Sequence, residues 1–264
     1  MPFDLTRYLT RVGLTDVPQG AAGLAAVQEA QMRAIPFEAI DPLLGRLPGL
    51  GADALMAKLV DGRRGGYCFE QNALLALALE ALGYPVEILV GRVRSPAGIP
   101  GARAHQALRV HAEGQDWLCD AGFGGPGPLR PLLFTGEQVV PNGTYRLRDD
   151  PETGETTLQR LGDEGWRAIY GLDFAPVQQV DLEAANFLCA HWDGTPFTRN
   201  LMLAFHAPHA RIGLFNRALT EDGAARLIES AQDLAQVFET CGLAIPAQDL
   251  AAIWSRIEHA PTTR

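Results

Sequence analysis

The sequence is poor in serine and contains only Ser95, Ser230 and Ser255. None of them lies in the Gly-x-Ser-x-Gly or Ser-x-x-Lys context of a nucleophilic serine, which excludes the serine hydrolases. The sequence also has just four cysteines, with no Cys-x-x-Cys pair. Disulfide frameworks are typical of small secreted chains, and structural zinc sites need closely spaced ligand pairs. The pattern therefore predicts reduced cysteines that act singly.

Basic runs and long apolar runs are missing as well. The chain has 22 Lys and Arg against 31 Asp and Glu, a formal net charge of −9. Such an acidic chain is a poor match for a phosphate backbone, so nucleic acid is excluded as a partner. The most apolar stretch, residues 73–84, is interrupted by Glu80 and is too short to span a bilayer. The first residues have no apolar segment typical of a secretion signal, and the sequence predicts a cytoplasmic protein without a membrane partner.

The pattern of helix and strand formers changes along the 264 residues, 47% of which are hydrophobic. Helices are predicted over 21–34, 52–60 and 68–82, and Gly83 ends the last of these. From 84 to about 180, short strand-like runs alternate with Gly, Pro, Asn and Asp, which predicts an antiparallel sheet or small barrel. The remainder mixes helices with short strands.

Two motifs that could indicate a ligand site lack the required context. The glycines of segment 122–127 match the spacing of a dinucleotide-binding loop, but Pro126 lies where a helix should begin, and the motif needs a strand, a turn and a helix. His206 and His209 are spaced for a metal, yet Pro208 disfavours a helix and no third ligand is near. We interpret them as loop histidines and predict no metal.

The segment Arg-Arg-Gly-Gly-Tyr-Cys-Phe-Glu-Gln-Asn, residues 63–72, places Cys68 in the first turn of a predicted helix. Its two glycines let the backbone turn tightly and approach another group closely. Free N–H groups and the helix dipole favour a thiolate there and should lower its pKa, and the N–H groups could hold an oxyanion. A small core residue at the start of a buried helix is an equally good interpretation, because a nucleophile needs a partner.

A predicted hairpin supplies that partner. With a two-residue turn at 113–114, Ala112 lies opposite Gln115. The two-residue period of strands then places His105 and Asp120 on the same face as diagonal neighbours, within reach of a hydrogen bond. A one-residue slip in register would separate them.

Together, Cys68, His105 and Asp120 form a candidate catalytic triad. An aspartate that accepts from one imidazole nitrogen fixes the tautomer, and the other nitrogen can deprotonate a thiol. Taken singly, His105 could be a structural histidine and Asp120 a turn carboxylate, so the prediction depends on the combination. The remaining cysteines lack such neighbours and are predicted to be core residues: Cys119, Cys189 and Cys241.

The segments RGGYCFEQN, HQALRV and WLCDAGFG, in this order, resemble the arylamine N-acetyltransferase family. The resemblance continues in IPFEAI at 35–40, TPFTRNLM at 195–202 and ARIGLFNRALT at 210–220. It implies an α+β fold with a cysteine-protease-like Cys-His-Asp core. The implied organisation begins with a helical domain that carries the nucleophile, at 1–83, and an antiparallel β-barrel that carries His and Asp, at 84–185. An interdomain segment at 186–204 and an α/β lid at 205–264 follow.

The resemblance also implies an activity. Acetyl-CoA, as co-substrate, would acetylate Cys68, and an arylamine or arylhydrazine would then take the acetyl group in a ping-pong reaction that needs no metal and serves xenobiotic metabolism. His105 would be the general base and Asp120 its orienting partner. The implied acceptor pocket consists of Phe37, Val93, Phe123 and Phe197. The implied structural support is an ion pair of Glu38 and Arg64. An ordinary structural role is the alternative for each of these six residues.

Three other functions remain open on the residues alone. A Cys-His-Asp hydrolase, such as a protease, an amidase or a transglutaminase-like protein, would transfer the acyl group to water instead of an amine. A related acyltransferase or amide synthase would use another acyl donor. A silent binding protein would keep the triad only as structure.

Overall fold

The computed structural model describes residues 2–207 and 210–262 of the chain. Its helices begin and end at recognisable signals. The side chain of Asp4 caps the first helix by accepting from the N–H of Arg7 at 3.0 Å, and Gly13 ends that helix at φ 77°. In chain order the helices α1 to α8 are Leu5–Val12, Gly20–Ala34, Ile40–Leu43, Ala52–Leu55, Cys68–Ala81, Gln179–His191, Ala231–Thr240 and Ala247–Ile257. A π-helical segment, Met56–Asp61, continues α4.

The described strands form two antiparallel sheets. In chain order β1 to β13 are Phe37–Glu38, Val86–Arg94, Pro100–Ala112, Gln115–Cys119, Leu132–Leu133, Glu137–Val140, Gly143–Asp150, Glu155–Gly162, Gly165–Leu172, Met202–His206, Arg211–Phe215, Ala218–Glu221 and Ala224–Leu227. The larger sheet has the order β5-β4-β3-β2-β9-β8-β7-β6, and the smaller has the order β1-β10-β11-β12-β13.

The eight-stranded sheet is a nearly closed antiparallel barrel, since β5 at one edge contacts β7 near the other. Its interior is filled by apolar side chains, among them Leu89, Ala107 and Leu158, and by the rings of Tyr145 and Tyr170. The predicted α+β class with a central barrel is confirmed.

The hairpin of β3 and β4 has the predicted register. Ala112 pairs with Gln115, and Leu108 pairs with Cys119. Both turn residues, Glu113 and Gly114, have positive φ, at 54° and 74°. Such a turn matches the twist of the flanking strands, and it therefore fixes which side chains share a face.

The smaller sheet joins distant parts of the chain. The short strand β1 pairs with β10, so that Phe37 lies opposite Ala204. Phe37 also forms a bridge with Gly66, next to the start of α5. The β1 segment thus links the C-terminal sheet to the helix that carries Cys68.

The domain boundaries stay a prediction. Two of them, at 185 and 204, fall inside a helix and a strand. Helix α6 runs through the boundary at 185, and β10 begins at 202, before the predicted lid. The histidine interpretation also changes, because His206 ends a strand, while His209 lies outside the described residues. No helix within residues 2–207 and 210–262 combines the length and apolar character that a membrane span requires.

Candidate active site

Cys68 is the first residue of α5 and is buried, with 5% of its surface exposed. The chain reaches this position through Gly65 and Gly66. A Cβ at Gly65 would overlap the carbonyl oxygen of Pro36, and one at Gly66 would lie 2.7 Å from a carboxylate oxygen of Glu70. Glycine is therefore required for the close approach between this segment and its neighbours.

The proton affinity of Cys68 differs from the sequence prediction. Burial, together with the neighbouring Cys189, raises the pKa of the thiol by more than the nearby His105 imidazole and the Gln106 N–H lower it. The net pKa therefore lies above its ordinary value, and the prediction of a lowered pKa is wrong. The sequence pattern indicates the helix start but not how deeply the first turn is buried.

His105 and Asp120 lie together as the hairpin geometry predicts. Nε2 of the imidazole is 2.8 Å from Oδ2 of the carboxylate, and both residues are buried. Burial alone would lower the pKa of His105, but the carboxylate of Asp120 outweighs it and raises the pKa to about 10. Nδ1 is the ring nitrogen that remains for proton exchange with Cys68.

Asp120 is held as a carboxylate by three donors. Burial would raise its pKa, but the charge and hydrogen bond of His105, with the N–H groups of Asn72 and Gly122, hold the pKa below its usual value. Oδ1 accepts from Asn72 Nδ2 and from the backbone N–H of Gly122, each at 2.9 Å. The two oxygens of Asp120 therefore have distinct partners.

Asn72 and Gln28 position Asp120, and sequence reasoning did not identify either role. Asn72 lies one turn after Cys68 on α5 and also accepts from the N–H of Ala121 at 2.9 Å. Gln28, on α2, accepts from the N–H of Asp120 at 3.0 Å. Both are fully buried amides, so the helices hold the end of β4 by hydrogen bonds in addition to apolar packing. The only sequence signal was a polar residue on an otherwise apolar helix face.

Two aromatic rings enclose the imidazole. The ring of Tyr170, on β9, lies 4.6 Å from that of His105, and the ring of Phe123 lies 5.4 Å from it at 85°. Val93 pairs with Tyr170 across β2 and β9 and is 39% exposed. Tyr170 was missed because nothing in its local sequence distinguishes it from a core residue.

The other predicted aromatic residues form a second group beside Cys68. Phe37 and Phe197 have ring centroids 6.4 Å apart, and Phe197 lies 5.7 Å from Tyr67. Cys68 belongs to the same apolar cluster. Aromatic side chains therefore lie near both the thiol and the imidazole.

The loop after β4 lies tightly between these groups. A Cβ at Gly122 would be 2.6 Å from the Cα of Cys68, and one at Gly124 would overlap the ring of Phe37. The loop can therefore bring Phe123 to the site only with glycine on either side of it.

The predicted ion pair is present, with Glu38 buried and Arg64 partly buried. Arg64 donates to Oε1 of Glu38 through Nε at 3.0 Å and Nη2 at 2.7 Å, and Oε2 of Glu38 accepts from the N–H of Ile40 at 2.7 Å. These contacts connect β1 and α3 to the segment just before Cys68.

One of the other cysteines lies in the site. The sulfurs of Cys68 and Cys189 are 3.9 Å and 3.7 Å from the same carbonyl oxygen, that of Ala104. Cys119 and Cys241 are fully buried in the apolar cores, as predicted. Cys189 is also buried, but its position in α6 brings it beside the candidate nucleophile, which its helical sequence context did not indicate.

A cleft of about 580 Å³ opens beside the glycine loop. It lies between residues 124–126 and the sheet of β10 to β12, and Ala204 lines it. Because Ala204 pairs with Phe37, the cleft adjoins the apolar cluster of Cys68. Within residues 2–207 and 210–262 no group of three or more His, Cys, Asp or Glu side chains is arranged to hold a metal ion.

The chain is similar to known proteins over most of its length. The N-acetyltransferase family model matches residues 22–241. An arylamine N-acetyltransferase of Mycolicibacterium smegmatis is 39% identical over 229 residues, covering 83% of this chain and 82% of the relative. The chain belongs to the arylamine N-acetyltransferase family.

Solved structures of this family agree with the fold. The arylamine N-acetyltransferase from Salmonella typhimurium is 32% identical with a TM-score of 0.88, covering 95% of this chain and 97% of that one. The Mycobacterium marinum enzyme in complex with CoA is also 32% identical with a TM-score of 0.88, covering 96% and 99% of the two chains. The predicted enzyme class, an acetyltransferase, is confirmed.

Proposed function

We propose that this chain transfers an acetyl group from acetyl-CoA to an arylamine or arylhydrazine through a thioester on Cys68. The observation that carries the proposal is the 2.8 Å contact of His105 with Asp120, beside a buried thiol at a helix start. Cys68 is the nucleophile, His105 the general base and Asp120 its orienting partner.

The first half-reaction acetylates the enzyme. Loss of the Cys68 proton leaves a thiolate beside an imidazolium, and Asp120 keeps the proton on the imidazole because it raises the pKa of His105. The thiolate bonds to the acetyl carbon, the bond from that carbon to the CoA sulfur breaks, and the His105 imidazolium protonates the departing CoA thiolate. N–H groups of the first turn of α5 are available for the oxyanion.

The second half-reaction discharges the thioester. Arylamines are weakly basic and therefore neutral at pH 7, so they need an aromatic wall more than a counter-charge. Phe37, Phe197 and Phe123 supply such a wall, and Val93 lies at its exposed edge. The amine nitrogen bonds to the acetyl carbon, His105 takes the amine proton, and Cys68 leaves as the thiolate.

The cleft beside the glycine loop is our proposal for the path of acetyl-CoA. Its glycine-rich edge, residues 124–126, offers backbone groups and space, and its far wall is the C-terminal sheet. Arg211 spans the two walls by donating to the carbonyl oxygen of Gly125 at 2.6 Å. In this arrangement the helical region supplies the nucleophile, the barrel supplies the base, and the C-terminal sheet covers the donor.

Intact-protein mass spectrometry after incubation with acetyl-CoA tests the proposal. We expect one acetyl adduct on the wild type, none on Cys68→Ala, and loss of the adduct when an aromatic hydrazine is added. Cys119→Ala is the matched control, because Cys119 is buried on the opposite face of the hairpin and should leave the adduct unchanged.

Other outcomes would reject specific parts of the proposal. An adduct on Cys68→Ala would exclude this nucleophile. An adduct lost equally fast to water alone would indicate a hydrolase. Absence of an adduct with acetyl-CoA, but formation with a longer acyl-CoA, would indicate a different donor.

A further inference from the structure

Lys58 is the only lysine of the chain, since the other 21 of its 22 basic residues are arginines. It lies in the π-helical segment Met56–Asp61, and its side chain is 17% exposed. The single lysine is therefore a mostly buried residue near the candidate active site.

The ammonium group of Lys58 bridges two carboxylates. Nζ lies 2.6 Å from Oδ2 of Asp41 and 2.6 Å from Oε1 of Glu70. A compact ammonium can contact two carboxylates in different directions, whereas the planar guanidinium of arginine favours one carboxylate in a bidentate pair. The geometry accounts for a lysine at this position.

Glu70 connects this bridge to the start of α5. Its other oxygen, Oε2, accepts from the backbone N–H of Tyr67 at 3.2 Å, and Tyr67 is the N-cap that precedes Cys68. The side chain of Glu70 is 1% exposed. A continuous path of contacts therefore runs from Lys58 through Glu70 to the turn that presents the nucleophile.

Lys58 and Arg64 are the partly buried cations beside the carboxylates of Glu38, Asp41 and Glu70. Arg64 faces Glu38 and lies 3.5 Å from Asp41. Arg46 lies 3.8 Å from Asp41 but is half exposed and pairs mainly with Asp249 of α8. The groups that face Lys58 and Glu70 are the carboxylates Glu38 and Asp41, the cation Arg64, the phenol Tyr67 and, next to that phenol, the thiols Cys68 and Cys189.

Removal of Lys58 would leave Glu70 as a buried carboxylate without a directly paired cation. Burial already raises the pKa of Glu70 to about 7, and Lys58 acts against that rise. An unpaired buried charge is costly, so Glu70 would take up a proton instead. At neutral pH the N–H of Tyr67 would then face a neutral carboxyl group instead of a carboxylate.

We propose that Lys58 is a positioning residue for acetyl transfer, which through Glu70 holds the first turn of α5 and hence Cys68 in its reactive place. The inference rests on the proposed function, since it assumes that Cys68 is the nucleophile. Lys58 itself contacts no reacting atom in this scheme.

The test measures the rate at which acetyl-CoA acetylates Cys68, by rapid quench and mass spectrometry, between pH 6 and 9. We expect Lys58→Met to acetylate about 10- to 100-fold more slowly at pH 7, the scale of a small displacement of a reacting group. We also expect its rate to recover at higher pH, with a midpoint displaced upward by about one unit or more, because Glu70 ionises later without its cation.

Two further variants separate positioning from general stability. Lys58→Met combined with Glu70→Gln removes the carboxylate altogether, so at pH 7 its rate should stay within about threefold of that of Lys58→Met, as expected for residues that act through one another, and it should not recover at higher pH. Arg46→Met is the matched control: it removes a cation next to Asp41 but leaves Lys58 and Glu70 in contact, and its pH profile should equal that of the wild type.

An unchanged rate and pH profile in Lys58→Met would overturn the inference, as would a double variant whose rate still recovers at higher pH. If Lys58→Met does not fold, Glu70→Gln alone decides. Its rate should fall less steeply from pH 8 to pH 6 than that of the wild type, and an identical slope would overturn the inference. A wild type that forms no adduct on Cys68 would instead reject the proposed function.

Discussion

Replacement of Asp120 by asparagine is the sharpest test of the site, because the structure determines which way the new amide must face. Oδ1 of Asp120 accepts two hydrogen bonds, from Asn72 and from the N–H of Gly122, and Oδ2 faces Nε2 of His105. In Asp120→Asn the carbonyl oxygen must therefore take the Oδ1 position, which turns the NH₂ group towards His105.

That orientation reverses the hydrogen bond to the imidazole. An NH₂ group can only donate to Nε2, so the proton of the neutral ring moves to Nδ1, where it faces Cys68. The ring can then no longer accept the thiol proton, and the imidazolium loses its carboxylate. An ionic hydrogen bond contributes about 1.5–3 kcal/mol, and the same change in a Ser-His-Asp triad costs about 10⁴ in kcat.

We expect acetylation of Cys68 by acetyl-CoA in Asp120→Asn to be slower by about 10³- to 10⁴-fold. This corresponds to a rise of about 4–5.5 kcal/mol in the activation free energy. Rapid-quench mass spectrometry measures this rate directly. The substitution is isosteric and keeps two of three hydrogen bonds, so the melting temperature should move by no more than about 5 °C.

The chain offers a matched control on the same hairpin. His111 and Asp116 form a similar contact at 2.9 Å, but both are about half exposed. Asp116→Asn should leave the acetylation rate unchanged. A rate for Asp120→Asn within tenfold of the wild type would refute the proposed role of this carboxylate.

Three further perturbations follow from the same contacts. Gly122→Ala should lower the free energy of unfolding by about 1–3 kcal/mol and slow the acetylation of Cys68, because the new Cβ would lie 2.6 Å from the Cα of Cys68. Gly162→Ala is the control and should change neither quantity, since its Cβ would lie 3.9 Å from the nearest atom. Tyr170→Phe keeps the ring beside His105 and removes only the hydroxyl that faces Asp120, so it should retain more of the wild-type acetylation rate than Tyr170→Leu, which removes the ring. Equal rates for the two variants would reject ring packing as the role. Burial lowers the pKa of His206 from 6.5 to about 4, so the unfolded state takes up a proton first and stability should fall as the pH drops from about 6.5 towards 4. In His206→Gln the melting temperature should decline less over this pH range, and an unchanged decline would contradict this explanation.

The sequence determined the geometry of the candidate site to the extent that local rules apply. A two-residue turn sets the register of the β3–β4 hairpin, and register alone places His105 and Asp120 on one face. Breakers followed by an apolar run place Cys68 at a helix start. The order of the Cys, His and Asp segments then indicated the family, which the comparisons confirm.

Only the tertiary structure decided the properties that depend on burial and on distant contacts. The pKa of Cys68 is raised because α5 begins inside the protein, which a helix signal does not reveal. Tyr170 reaches His105, and Cys189 reaches Ala104, through the packing of elements far apart in the chain. The bridge from Lys58 to Glu70 also depends on tertiary packing, because only the fold brings the carboxylates of Asp41 and Glu70 into contact with this lysine.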